Sequence, residues 1–421
     1  MLKVLVNSYT CCPGMGSEQG MGWHWITNLA HYCELFVITE GEYRFQIEEW
    51  LSKKENEDIA KRLHFYWNPI GGDDQKRCEK IRKTCWNQGN WRFYLYYKKW
   101  QKSTADIAER ICGEHKIDIL HQLNMIGFRE PGYLWKVSQK TGIPFIWGPI
   151  DAKEAFPMAY TKDASFKVKL YFALKNVVTK YQLRFGKRVH SAANQASFVI
   201  GASGNSVVSI KKYFNKEAPL INETGCQLNK TFDNSKPAKD TFDILWVGKT
   251  DFRKLLRLAL TSFAKVKKDN LRFHIVGSGN LLPFKKIAEE LGIADKCKWH
   301  GVVSHSEVQD LMRFCDVLLF TSVAEGTPHV VMEAIGNGLP VICFDTCGQA
   351  DCVNEKVGIK LPLSNLQQSA NDFSEAIEKL YTDADLLSYF SNNCHERQKE
   401  LCWDNKTKQM LDLYKSALSL S

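Results

Sequence analysis

The chain has 421 residues, of which 44% are hydrophobic and 24% charged, and its formal net charge is +9. This length is too great for one hydrophobic core and predicts two large domains. The N-terminus runs directly into an apolar segment, without a charged region, a cleavage site or a membrane-spanning stretch, so we expect a cytosolic protein. The fourteen cysteines form no Cys-x-x-Cys pair, which excludes a zinc or disulfide framework of that type and favours reduced thiols.

The positive charge is concentrated in two segments, 76–102 and 162–188. The first has nine Lys or Arg residues against one Glu, and the second has eight against one Asp. Both are rich in aromatic residues, a combination that suits the headgroup layer of an anionic membrane. Solvated helix faces with aromatic residues in the core are an equally good interpretation. No recognised RNA- or DNA-binding module accompanies the charge, so we expect no nucleic-acid partner.

Short apolar segments alternate with helical patterns along the whole sequence, which predicts an α/β fold with two Rossmann-like parallel sheets. The predicted strands are 3–7, 35–39, 64–67, 118–122, 144–147, 197–201, 243–247, 272–276, 298–300, 317–321 and 340–344. A polar stretch over 229–240 has no periodicity and predicts the region of the domain boundary. We therefore expect domains over 1–220 and 221–399, with a C-terminal amphipathic helix over 400–421 that crosses back to the first domain.

Two lysines follow a predicted strand of the second domain. Gly248 ends this strand, Lys249 comes directly after it, and Lys254 lies five residues further on, near the start of a predicted helix. Open α/β sheets bind ligands at the carboxyl ends of their strands, so two cations are expected to meet there. The next strand ends in a glycine-rich turn at Gly277, where backbone amides could approach a ligand, although a purely structural turn is an alternative.

Two glutamates, Glu325 and Glu333, lie on either side of Pro328. The proline suits the first turn of a helix with Thr327 as its N-cap, so free amide groups and the positive helix end would point towards Glu325. Because carboxylates repel a diphosphate, both are predicted to accept hydrogen bonds from sugar and ribose hydroxyls. Glu333 could instead be an ordinary surface residue, but its apolar neighbours predict a largely buried helix.

These motifs resemble the retaining GT-B glycosyltransferases of group 1, also called family 4. Glu325 and Glu333 match the Glu-x7-Glu motif of the family, and Lys249 and Lys254 match its basic pair, with lysine in place of the usual arginine at 249. The resemblance is clearest over 245–349 and extends more loosely to the whole chain. The segments Phe128-Arg129-Glu130-Pro131 and Trp147-Gly148-Pro149-Ile150-Asp151 resemble segments of the members that assemble bacterial polysaccharides.

The resemblance implies roles for individual residues. Lys249 and Lys254 would neutralise the departing diphosphate, Glu325 would hold the donor sugar, and His121 would lie near the transferring sugar. A structural role for His121, or helix capping by Ser17, is about as good an interpretation. The implied donor-binding residues are Gly16, Ser17, Gly248, Gly277, Val302, Gly326, Thr327, Pro328, His329 and Glu333.

The implied reaction moves a hexosyl group, with retention, from a UDP- or GDP-sugar to a glycan or polyprenyl-linked acceptor in cell-surface polysaccharide synthesis. No metal or other cofactor is expected, because the lysines and the helix start would stabilise the leaving group. Two alternatives stay open, a sugar-nucleotide epimerase on the same fold and a non-catalytic protein that binds membranes or nucleic acid. An NAD-dependent oxidoreductase is disfavoured, because no G-x-G-x-x-G motif follows the first strand.

Overall fold

The computed structural model describes residues 1–68, 91–153, 155–228 and 239–420. The chain divides into two compact units. Unit 1 comprises Met1–Glu154, Lys180–Glu223 and Lys406–Ser421, and unit 2 comprises Ala155–Thr179 and Thr224–Asn405. Ala155–Thr179 thus falls in the second unit, whereas the sequence analysis placed it inside the first domain. The predicted basic segment 76–102 lies outside the described residues from 76 to 90.

The α-helices of the described ranges differ widely in length, from 4 to 24 residues. In chain order they are α1 Ser17–Leu29, α2 Arg44–Ser52, α3 Glu57–Ala60, α4 Trp91–Glu114, α5 Leu134–Thr141, α6 Phe166–Phe185, α7 Lys187–Gln195, α8 Gly204–Phe214, α9 Leu256–Lys265, α10 Leu282–Glu290, α11 His305–Phe314, α12 His329–Gly336, α13 Cys347–Cys352, α14 Leu366–Thr382, α15 Ala384–Leu401 and α16 Trp403–Leu420. Over these same ranges, none of the helices is both long enough and apolar enough to cross a membrane.

Unit 1 contains a six-stranded parallel sheet with the strand order β3-β2-β1-β4-β5-β6. Its strands are β1 Leu2–Ser8, β2 Cys33–Thr39, β3 Leu63–Trp67, β4 Ile119–Asn124, β5 Phe145–Ile150 and β6 Phe198–Gly201. Aromatic residues of α4 form part of the core on one face, where Tyr97 and Trp100 contact Tyr9 edge to face with centroids 4.9 Å apart. The buried aromatic residues of 91–102 are therefore core residues, and the membrane interpretation does not apply to them.

Unit 2 repeats this topology, with the strand order β12-β11-β10-β7-β8-β9. Its strands are β7 Phe242–Val247, β8 Leu271–Val276, β9 Cys297–Gly301, β10 Val317–Phe320, β11 Val341–Phe344 and β12 Gly358–Leu361. In both sheets the first strand lies at the centre, next to the fourth, so the order reverses there. At such a switch point the carboxyl ends of the strands leave a crevice for ligands.

The core of unit 2 forms where α9 covers the sheet. Its buried face includes Leu256, Leu260 and Phe263, and the Phe263 ring stacks on Phe273 of β8 with centroids 5.1 Å apart. This face follows the apolar spacing from which the helix was predicted. The observed architecture confirms the predicted α/β class with two Rossmann-like sheets, and every predicted strand overlaps an observed one.

Candidate active site

The loops at the carboxyl ends of β7, β8 and β9 are joined by backbone hydrogen bonds. The amide of Gly248 donates to Val276 O (3.0 Å), and that of Gly277 donates to Gly301 O (2.8 Å). Gly277 has φ +149°, and a Cβ atom there would lie 1.6 Å from Gly248 O. Only glycine allows this close approach. The glycine-rich turn is therefore required for packing, which was the alternative interpretation of this motif.

Lys254 and Glu325 form an ion pair at this edge of unit 2. Lys254 ends the short 3-10 helix Phe252–Lys254 between β7 and α9, and Glu325 follows β10. The Nζ atom of Lys254 lies 2.8 Å from Glu325 Oε1, and each side chain is 15% exposed. The same ammonium group lies 4.9 Å from the ring centroid of Phe320. An aromatic face stabilises a cation further, so the lysine is held on two sides.

The loop that carries Glu325 is fixed to the loop that carries Lys254. The Thr321 hydroxyl donates to Lys254 O (2.7 Å), and the Val323 amide donates to Arg253 O (3.1 Å). Within the loop, Ser322 Oγ donates to Glu325 Oε1 (2.6 Å). Ser322 was missed by sequence reasoning, and its position three residues before the glutamate is the only signal that could have indicated this contact. The carboxylate is therefore oriented before any ligand binds.

Lys249 differs from Lys254 in its surroundings. It directly follows Gly248, its side chain is exposed, and within the described ranges it makes no ion pair and no side-chain hydrogen bond. The structure thus joins one of the two predicted cations, Lys254, to one of the two acids, Glu325. Because Lys249 is exposed to solvent, it is suited to bind an anionic group that arrives from solution.

Helix α12 begins one residue later than predicted. Its N-cap is Pro328, with φ −74° and ψ 115°, and the first helical residue is His329, so the prediction of Thr327 as the cap was wrong. The residue before a proline is restricted to extended backbone, and Pro328 itself is also extended, so the helix begins only after it. The side chain of His329 is exposed at the start of the helix. Just before the helix, Gly326 O accepts a hydrogen bond from the Gly348 amide (3.0 Å).

Glu333 lies on α12 but is not buried. Its side chain is 33% exposed, and its carboxylate oxygens lie 3.4 Å from His305 Nε2 and 3.4 Å from Gln309 Nε2. The neighbours Val331 and Ala334 are buried as predicted, whereas Glu333 faces α11. No sequence signal connects His305 or Gln309 to this glutamate, because they belong to a different helix. A half-exposed carboxylate with two polar neighbours can accept hydrogen bonds from a ligand.

The structure corrects the assignment of His121. Its side chain is fully buried in unit 1, where Nδ1 lies 2.7 Å from the Tyr414 hydroxyl and Nε2 lies 2.7 Å from Gly148 O. Since a carbonyl only accepts, Nε2 carries the proton and Nδ1 accepts from the tyrosine. Burial lowers the pKa of His121 to about 4. Both ring nitrogens are occupied, so the histidine is structural and we remove it from the catalytic set.

Gly16 and Ser17 lie in unit 1, at the end of an exposed loop that leads into α1. Gly16 is the N-cap residue, and the helix has no side-chain cap, so Ser17 does not serve as one. The next residue, Glu18, accepts a hydrogen bond from the Ile126 amide through Oε1 (3.3 Å). Its other oxygen is buried without a partner among the described residues, and burial raises the pKa of this carboxyl to about 7.

The remaining predicted donor residue, Val302, follows β9 in unit 2. It is 77% exposed, so it offers an apolar surface beside the glycine-rich turn. Among the residues in the described ranges, no group of three or more His, Cys, Asp or Glu side chains could hold a metal ion. The cysteines in the same ranges are free thiols.

The sequence of this region matches a known protein family. Residues 229–397 match the family model of glycosyl transferases group 1, which includes every proposed site residue of unit 2. The lipopolysaccharide glucosyltransferase WaaG of Escherichia coli is 29% identical over 138 residues, which is 32% of this chain and 35% of that protein. The chain spans less than half the length of the curated relatives that it matches.

Solved structures share the fold over nearly the whole chain. Sucrose-phosphate synthase from Thermosynechococcus elongatus superposes with a TM-score of 0.67 at 15% identity and covers 100% of both chains. The Anabaena protein Alr3699/HepE in complex with UDP-glucose superposes with a TM-score of 0.58 at 14% identity, over 99% of this chain and 100% of that one. The chain therefore has the GT-B fold of two Rossmann-like domains, and residues 229–397 match the group 1 glycosyltransferase domain, with sequence similarity to the lipopolysaccharide glucosyltransferase WaaG.

Proposed function

We propose that this protein transfers a sugar from a nucleoside diphosphate sugar to an acceptor hydroxyl, with retention of configuration at the anomeric carbon. The observation that carries the proposal is the preformed pair of Lys254 and Glu325 at the carboxyl edge of a parallel sheet. Lys249 and the start of α12 follow neighbouring strands of that sheet. The match to group 1 glycosyltransferases covers the same residues, and a structural neighbour binds UDP-glucose.

In the proposed reaction the bond between the anomeric carbon and the diphosphate oxygen breaks, and the acceptor oxygen bonds to the same face of the sugar. The nucleoside diphosphate leaves with the proton of the acceptor hydroxyl. Negative charge grows on the departing phosphate, so preformed positive groups lower the barrier most. Lys249, Lys254 and the amide groups at the start of α12 supply that charge, and the proposal includes no metal ion.

The two glutamates take different parts of the donor in this proposal. Glu325 holds Lys254 through Oε1, which leaves Oε2 to accept a hydrogen bond from a hydroxyl of the sugar. Glu333 accepts from the ribose, and His305 and Gln309 orient its carboxylate. Val302 and Gly277 would lie beside the base. These roles follow the chemistry of each group, because carboxylates accept from hydroxyls and ammonium groups donate to phosphates.

The proposed acceptor is a glycan or a lipid-linked glycan in the synthesis of a cell-surface polysaccharide. The relative WaaG is named as a lipopolysaccharide glucosyltransferase, and this supports an acceptor of the same class. The sugar moved would be a hexose, from UDP or GDP.

A donor screen tests the proposal. Thermal unfolding is measured with UDP, GDP and a panel of their sugars, because a ligand that binds only the folded protein raises its stability by mass action. The donor that protects best is then incubated with glycan acceptors, and the anomeric configuration of the product is read by NMR. If none of the nucleotides or their sugars raises the thermal midpoint, the proposal is refuted. Conversion of the donor without an acceptor would indicate an epimerase, and an inverted product would refute retention.

A further inference from the structure

Helix α6 exposes a large apolar surface. Eight of its apolar residues are between 46% and 77% exposed, namely Phe166, Leu170, Tyr171, Leu174, Val177, Val178, Tyr181 and Phe185. Single exposed apolar residues are common on protein surfaces, but this number on one helix is not. We refer to this surface as the outer face of α6.

The outer face lies opposite the side of the helix that packs on the protein. Phe166, Leu170, Leu174, Val177, Tyr181 and Phe185 follow each other at intervals of three or four residues, which places them on one stripe of an α-helix. The buried residues Phe172 and Leu183 lie roughly half a turn away from this stripe. Phe172 stacks on Phe156, with centroids 3.9 Å apart. The helix is therefore anchored by one apolar face and presents a second one to solvent.

Basic residues border the outer face on both sides. With 100° between successive residues, Lys175 falls on one edge of the stripe and Lys169 and Lys180 on the other. Two further cations, Lys167 and Arg184, fall among the apolar residues of the stripe, and both are exposed. The sequence has no acidic residue between Ala164 and Arg188. An apolar stripe with cationic edges is the pattern of a helix that lies in the plane of a membrane surface, because lysine side chains extend their charged ends towards headgroups while their stems stay with the acyl chains.

We propose that the outer face of α6 docks on a membrane that contains anionic lipids. Charge decides between this partner and a second copy of the chain, because pairing two identical faces would bring their lysines together without any acid to balance them. Aromatic rings at the headgroup level and aliphatic side chains below them match the composition of the face. The docking needs no donor chemistry, so it goes beyond the proposed transfer reaction, although it suits a lipid-linked acceptor.

The test uses the full-length protein and two valines of equal exposure. Val177 in the outer face is 66% exposed, and Val208 on α8 is 67% exposed. Each is changed to glutamate, and circular dichroism and the thermal midpoint confirm that both variants fold. Binding is measured by co-sedimentation with vesicles of phosphatidylcholine, alone or with about a quarter phosphatidylglycerol.

We expect the wild type to bind only the vesicles with phosphatidylglycerol, and to be released as about 0.5 M salt screens the charges. Val177→Glu should weaken binding about tenfold or more, because a carboxylate in the stripe repels anionic headgroups. Val208→Glu should bind as the wild type does. Absent binding of the wild type, or equal binding of both variants, would overturn the proposal. So would a wild-type dimer that Val177→Glu converts to a monomer.

Turnover of a soluble acceptor, measured without vesicles, separates this inference from the proposed function. Both variants should keep the wild-type rate, because neither valine belongs to the strand-end loops that carry the candidate site. Loss of vesicle binding with unchanged turnover supports the docking surface. If no turnover is found with any acceptor, the vesicle experiment still decides whether the surface binds anionic lipids.

Discussion

Lys254 and Glu325 are each other's counter-ion in a site that excludes most of the solvent around them. Their charged atoms lie 2.8 Å apart, and each side chain is 15% exposed. Removal of one partner from such a pair leaves the other charge partly buried without compensation. The same pair is therefore expected to contribute to the stability of unit 2 and to the proposed reaction.

The first prediction concerns the coupling between these two charges. Lys254→Met and Glu325→Gln should each lower the free energy of unfolding, and the double variant should lose less than the sum of the two. The expected coupling is about 1–3 kcal/mol, as for side chains in direct contact. Urea unfolding of all four proteins measures it. Additive losses would show that the ion pair does not contribute to stability.

The second prediction separates stability from activity at Lys249. This lysine is exposed and has no ion pair within the described ranges, so Lys249→Ala should leave the urea midpoint unchanged. If the side chain binds the leaving diphosphate, kcat should fall about 100-fold, the effect of losing one group that stabilises charge in the transition state. Lys249→Arg should restore most of it.

Lys379→Ala provides the control for Lys249. It removes an exposed lysine from α14 in the same unit, far along the chain from the site loops, and should turn over at the wild-type rate. A kcat for Lys249→Ala equal to that of the control would remove Lys249 from the donor site.

The third prediction follows from Glu18. Burial raises the pKa of this carboxyl to about 7 in the folded protein, from an ordinary value of 4.5. Between these two values the folded state keeps a proton that the unfolded state has lost, so the free energy of unfolding falls as pH rises. Glu18→Gln cannot ionise and should lack this part of the pH dependence. Its stability relative to the wild type should increase from pH 5 to pH 7.5, and a constant difference in urea unfolding would contradict the raised pKa.

Much of the fold could be predicted from the sequence because apolar segments of buried parallel strands are continuous and easily recognised. Strand β12, Gly358–Leu361, was missed because it has four residues at the edge of its sheet and includes Lys360. The assignment of Ala155–Thr179 to unit 2 also could not be read from periodicity. Periodicity reports which face of a helix is apolar, and not which core that face covers.

The candidate site was predicted as a set of residues and not as a set of contacts. The ion pair joins positions 254 and 325, which are far apart in sequence, and only the neighbouring strands β7 and β10 bring them together. His121 shows the opposite limit. A histidine near the carboxyl end of a strand has the same sequence pattern whether its ring faces a ligand or the core. Here the ring faces the core, where its Nδ1 atom accepts a hydrogen bond from Tyr414, near the other end of the chain.

The last prediction tests the structural role of His121. Tyr414→Phe removes the hydroxyl that donates to Nδ1 and leaves a buried acceptor without a partner, which should cost about 1–3 kcal/mol of stability.

Because the folded pKa of His121 is about 4, below its ordinary value of 6.5, the unfolded state binds more protons between these values. Its contribution to stability is therefore present above pH 6.5 and is lost as pH falls towards 4. Thermal midpoints from pH 4.5 to 7.5 measure both effects. The kcat per folded molecule should stay at the wild-type value, since the ring is buried away from solvent, and a large loss of kcat in a variant of wild-type stability would return His121 to the catalytic set.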